Sequence, residues 1–225
     1  MIELSAVRKA FNQGQDNEFW ALHGIDLSIP ANYTTVLRGP SGSGKTTLLS
    51  IIGCLSRPTS GRVRLKNEDI SSLPERFLTE IRRSTFGFVF QQFNLIRGLT
   101  ALENIVLPAF PLGRDWPSLR ERAEELLAEL KLAHRRNARV EWLSGGEQQR
   151  VAICRALIND PEVVIADEPT ANLDTALSCE FMTILESLKA RGKTLLLTSH
   201  DPLVTESATV DRVVSLRDGR VAGEH

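Results

Sequence analysis

Apolar and polar residues alternate along residues 2–7 (IELSAV) and 25–29 (IDLSI), with the polar stretch NQGQDNE between them. Period two over short runs predicts an antiparallel strand pair with one wet face. The pattern then changes: YTTVLRG (33–39) reads as a strand that runs into glycine, and TTLLSIIGCL (46–55) is apolar at helical spacing. Strand signals recur at FGFVF, VVIAD, TLLLTS and VVSLR, and the helical stretches WPSLRERAEELLAELKL and TALSCEFMTILESLKA lie between several of them. Such alternation predicts an α/β fold, with helices packed on a mostly parallel sheet behind an N-terminal antiparallel β subdomain. Residues from about 94 to 150 carry helix with little strand signal. They are expected to form a helical subdomain inserted in a single domain spanning 1–225, and no internal repeat interrupts it.

Composition narrows this picture only a little. A chain of 225 residues is long for one domain and short for two, which suits one α/β domain with an insertion. A net charge of -1 argues against a nucleic-acid binder, and the basic run HRRNAR (134–139) is explained by a solvated face or a turn between helices. Cys54, Cys154 and Cys179 lie far apart without metal-ligand spacing and are read as small buried side chains in a reducing compartment. No stretch approaches the ~18 apolar residues needed to cross a bilayer, and MIELSAVRKAF lacks a signal-peptide core. The expected location is the cytoplasm, with any membrane role supplied by another polypeptide.

The chemistry begins at GPSGSGKTT (39–47), which fits G-x-x-x-x-G-K-[ST] between a strand and a helix. Gly39, Pro40, Ser41, Gly42, Ser43 and Gly44 form a loop whose N–H groups can point at phosphate oxygens, and the helix that follows adds its N-terminal dipole. Lys45 supplies charge to the β- and γ-phosphates, the Thr46 hydroxyl can ligate Mg²⁺, and Thr47 completes the set expected to bind the nucleotide. VVIADEP (163–169) ends a strand in two acids. Beside such a loop, Asp167 is expected to anchor Mg²⁺ through water, and Glu168 to polarise the attacking water, although Glu168 also suits a capping role.

Other residues stay open on local grounds. His200 and Gln91 each close a predicted strand, where a structural hydrogen bond would account for them equally well, and Asp174 can be a helix N-cap. In LSGGEQQR (143–150), Ser144 and Glu147 have capping-box spacing. That box needs neither Gly145 nor Gly146, and each glycine costs a helix about 1 kcal/mol against alanine. Something is therefore expected to approach that backbone closely.

Taken in order, GPSGSGKT, FQQFNL, LSGGEQQRVA, VVIADEP, ANLD and TSHD resemble the nucleotide-binding subunit of ABC transporters over essentially the whole chain. The resemblance implies a P-loop NTPase fold of ABC type that binds ATP and Mg²⁺, hydrolyses ATP, and forms a head-to-tail homodimer around two ATP molecules. It implies that Ser144, Gly145 and Gly146 meet the γ-phosphate bound by the other chain and that Asp174 lies at the protomer interface. Gln91 would touch Mg²⁺, the attacking water and the contact with an integral membrane subunit, and His200 would hold the γ-phosphate. Phe11 stands where the family places an adenine-stacking aromatic, while Phe19 and Trp20 are read as core residues. ANYTTVL departs from the family's usual Gly-Glu turn, and Asn32 is expected to take the left-handed conformation.

IIGCLSRPTSG and GFVFQQFNLIRGLTALENIVLP are similar to the macrolide-efflux and lipoprotein-release group. This implies a subunit held at the cytoplasmic face of the inner membrane by its partner. Cell-division and small-peptide-export relatives share such segments. Three other readings fit less well. A DNA-repair ATPase needs a long coiled coil between Gln91 and Ser144, a translation factor needs two cassettes, and a purely regulatory module has no use for Glu168 and His200.

Overall fold

The computed structural model describes residues 1–171 and 173–224; Asn172 of the ANLD stretch lies outside them. The chain opens with β1 (Ile2–Phe11) and β2 (Phe19–Ile29), paired antiparallel and each longer than its alternating pattern suggested. A turn with Asn32 at φ 60° leads into β3 (Thr34–Arg38), and α1 (Lys45–Ile52) begins directly on the glycine-rich loop. β4 (Ser60–Leu65) and β5 (Glu68–Asp69) return to the first strands, giving a sheet of order β2-β1-β4-β5 among the described residues. α2 (Glu75–Thr85) then leads into β6 (Phe86–Val89).

The next stretch holds α3 (Ala101–Val106), a 3-10 helix over Leu107–Leu112, α4 (Trp116–Glu129) and α5 (Gly145–Leu157). Their starts are chemically marked. Thr100 with Glu103 and Ser144 with Glu147 form capping boxes, and Asp115 caps α4 through the Ser118 N–H. The chain re-enters the sheet as β7 (Val163–Asp167), α6 (Thr175–Ala190), β8 (Thr194–Thr198), α7 (Pro202–Thr205), β9 (Arg212–Arg217) and β10 (Arg220–Glu224). The second sheet has order β10-β9-β3-β8-β7-β6, parallel except for the β10 edge.

Each parallel strand is apolar on both faces, and successive residues serve different cores. Val36, Val164, Ala166, Leu195 and Leu197 pack with α3, α4, α5 and α6. Leu37, Val163, Ile165 and Leu196 pack with α1, α2 and the antiparallel sheet. The two layers leave the carboxyl ends of β3, β7 and β8 at one rim, where open α/β sheets bind ligands. Cys54 and Cys154 are buried as expected, and burial pushes the Cys54 thiol up to about 11. Cys179 departs from the expectation, because its position on α6 faces outward and leaves it exposed.

Candidate functional site

A cleft of about 820 Å³ opens at that rim, with walls drawn from both sheets. The second sheet and α1 contribute the loop 39–47, Gln91, Glu168, Ala171 and His200, and the first contributes Phe11, Phe19, Trp20 and Ala21. In the loop, Gly42 and Gly44 have φ of 79° and 97°, values that side chains rarely adopt. Gly44 is constrained twice, since a Cβ there would lie 2.7 Å from both the Ala21 carbonyl oxygen and Leu22 Cδ2. The loop is thereby pressed against β2 with its backbone turned toward the start of α1, the arrangement in which N–H groups collect an anion.

Lys45 curls back over this loop. Its ammonium donates to the carbonyls of Gly39 at 2.7 Å and Pro40 at 3.2 Å and stands 3.7 Å from Glu168 Oε1. The second Glu168 oxygen lies 3.0 Å from His200 Nδ1, at a histidine that is otherwise largely exposed. Lys45, Glu168 and His200 therefore converge from three separate stretches of the chain. The Thr46 hydroxyl and the Gln91 amide line the same cleft, and Asp167 closes the neighbouring strand. Among the described residues no three His, Cys, Asp or Glu side chains cluster into a cage for a metal. An oxygen-rich cleft of this kind fits Mg²⁺ that arrives on substrate phosphates and takes only one or two protein oxygens.

The aromatic wall corrects the reading of Phe19 and Trp20 as core residues. Phe11 and Phe19 are register partners at the open end of the β1–β2 pair, and their rings stack with centroids 5.2 Å apart. Both remain exposed, as does Trp20, whose Nε1 donates to Glu18. The strands extend past the alternating segment, so these rings overhang the cleft instead of entering the core.

Ser144, Gly145 and Gly146 stand elsewhere, outside the walls of the cleft as drawn by the described residues. Ser144 accepts from the Glu147 N–H, and Glu147 accepts from the Ser144 N–H at 2.8 Å. The two glycines differ. Gly146 is buried, and a Cβ there would lie 2.6 Å from Leu177 Cδ2, whereas one on exposed Gly145 would meet nothing within 4 Å. Asp174 caps α6 by accepting from the Leu177 N–H at 2.9 Å. Beside Gln91 lies a second groove of about 290 Å³, floored by Phe86, Phe88 and Phe90 and rimmed by Arg82, Arg83 and Arg155. Arg155 donates to the carbonyls of Phe93 and Asn94, bracing the loop that follows β6.

A phosphate loop on a parallel sheet, with a glutamate standing between its lysine and a histidine, defines a P-loop nucleoside triphosphatase cassette. Residues 22–171 match the family model described as ABC transporter, and the chain belongs to that family; its fold and cleft are those of an ABC-type ATPase. It is 43% identical over 225 residues to the lipoprotein-releasing system ATP-binding protein LolD 1 of Rhodopseudomonas palustris, covering 99% of each. It is also 43% identical over 224 residues to the macrolide export ATP-binding/permease protein MacB of Hyphomonas neptunium. There the match covers 100% of this chain and 34% of the relative, so the chain spans about a third of that exporter's length. The dimeric structure of MJ0796, a bacterial ABC transporter cassette, is similar with a TM-score of 0.91 and 42% identity, covering 100% of this chain and 98% of that one. No helix among the described residues is long and apolar enough to cross a membrane.

Proposed function

We propose that two copies of this chain close head to tail around two ATP molecules and power a separate integral membrane protein in export or lipoprotein release. The observation that carries this reading is a division of parts. The cleft gathers the phosphate loop, Glu168 and His200, while the start of α5 stands away from it with bare backbone at Gly145. A second copy brings the two together: Ser144, Gly145 and Gly146 of one chain offer a helix N-terminus to the γ-phosphate held by the other, with Asp174 beside the same interface. The dimeric MJ0796 cassette and the names of the macrolide-export and lipoprotein-release relatives support this reading.

Within the cleft, Phe11 stacks on adenine, with Phe19 beside it. The loop N–H groups and Lys45 hold the β- and γ-phosphates. Thr46 and Gln91, with Asp167 through water, would hold Mg²⁺, which when bound neutralises phosphate charge. Glu168 is held between Lys45 and His200; a γ-phosphate that engages those two partners releases its carboxylate to take a proton from water. The water oxygen then bonds to the γ-phosphorus as the bond to the ADP oxygen breaks. Loss of the γ-phosphate removes the contacts that favour the closed dimer. In this reading the arginine-rimmed groove beside Gln91 receives the membrane subunit, and the chain works at the cytoplasmic face of the inner membrane.

Light-scattering mass tests the division of parts. Glu168→Gln should lower turnover by about 10²- to 10⁴-fold and so hold ATP in a dimer that is monomeric without nucleotide. Adding Gly145→Asp should abolish that dimer by placing a carboxylate against a phosphate, with ATP still bound by the monomer. A double variant that dimerises normally with ATP would refute the head-to-tail assignment.

A further inference from the structure

Thr198 closes β8, and its register partner on β7 is Asp167. The residue is fully buried. A threonine hydroxyl has one proton to give and two lone pairs. Here the hydroxyl donates to Asp167 Oδ1 at 2.6 Å and accepts from the Glu168 N–H at 2.7 Å. A single oxygen atom thus holds both acidic residues that leave the strand. Glu168 takes φ 45°, a left-handed backbone that a non-glycine residue keeps only where its surroundings over-determine it. With that backbone its carboxylate stands between Lys45 and His200.

We infer that Thr198 is a positioning residue for ATP hydrolysis: its hydroxyl fixes the backbone turn that aims Glu168 at the attacking water and orients Asp167 through the same atom. This rests on the role proposed for Glu168. Packing alone would be served by any β-branched residue at this strand position, and valine has the right shape without the hydroxyl. Valine would leave the Glu168 N–H without its acceptor and Asp167 without one donor.

Steady-state kinetics and ATP titration of the full chain separate these cases. Thr198→Val is expected to lower kcat at least about tenfold, since roughly 1 Å of misplacement can cost up to ~10²-fold. The KM and the ATP affinity should stay within about twofold, the signature of an interaction felt after binding. Thr198→Ser, which keeps the hydroxyl, should remain within about threefold of the parent in kcat. On a Glu168→Gln background the valine substitution should lose most of its effect, keeping only the share carried through Asp167, because two residues that act through one group are not additive. Parental kcat in Thr198→Val, equal losses in the serine and valine variants, or an undiminished loss on the Glu168→Gln background would each overturn the inference. If Thr198→Val does not fold, Thr198→Ala set against Thr198→Ser makes the same comparison. Glu168→Gln alone keeps the two readings apart. If it leaves turnover intact, the base role itself fails; if it stops turnover while Thr198→Val does not, only the positioning role fails.

Discussion

Gly145 and Gly146 follow one another in sequence yet meet different surroundings, and substitution should separate them. Alanine at 146 places a methyl group 2.6 Å from Leu177 Cδ2, the tip of a half-buried side chain that must shift to admit it. Displacing that side chain is expected to cancel the roughly 1 kcal/mol that alanine gains over glycine in helix propensity. Alanine at 145 meets nothing within 4 Å and should leave urea unfolding unchanged or slightly improved, while weakening ATP-driven dimerisation. Parallel unfolding curves and nucleotide-dependent mass measurements on the two variants check the contrast. The sequence marked both glycines as unexplained by the capping box, but it could not divide them, because Leu177 lies thirty-one positions further on and meets Gly146 only through the fold. Phe19 and Trp20 were misread for a related reason. Hydrophobicity alone suggests burial, and only the β1–β2 register sets Phe19 beside Phe11 over the cleft. The left-handed backbone of Glu168 has no local signal at all, since its support comes from Thr198 on another strand.

Elements were legible where their cause is local. The period of the apolar residues and the Ser144–Glu147 spacing located the strands of the parallel core and the start of α5. By contrast β4, β10 and α2 carry few buried side chains; α2 buries only Leu78 and Thr85 among its described residues. The cap on α5 also makes a pH-dependent contribution. The Ser144 N–H, and after it the Arg135 guanidinium, holds the Glu147 carboxyl below its usual value of 4.5, despite partial burial. A folded-state value that is lowered adds stability that is fully present above about pH 4.5 and fades as pH falls through the folded value. Glu147→Gln keeps a capping acceptor but removes the charge at a helix N-terminus, which is worth roughly 0.3–1 kcal/mol. Its deficit in urea midpoint should therefore be visible at pH 7 and disappear as pH falls through the folded-state value. A deficit that persists in acid would assign it to lost packing.

At the scale of the whole molecule, the helices between β6 and β7 share a hydrophobic core with the parallel sheet and α6, and specific polar links tie them to it as well. Arg191 of the turn after α6 pairs with Glu129 of α4, and Arg150 of α5 pairs with Glu180 of α6. Gln149 donates to the Pro169 carbonyl at 2.5 Å, so the helix that begins at Gly145 also touches the segment leaving Glu168. The open backbone at Gly145 has a consequence for mixtures of chains. If each working site draws its loop from one chain and its helix start from the other, the two kinds of damage are complementary. Lys45→Ala spoils only sites that use that chain's loop, and Gly145→Asp spoils only sites that borrow that chain's helix. Each variant alone should be inactive, yet in a mixed pair both lesions fall in one site and the other is whole. Random pairing at equal amounts would then restore roughly a quarter of parental turnover, provided the sites fire independently. No recovery in a mixture that forms mixed dimers would mean that one intact site is not enough.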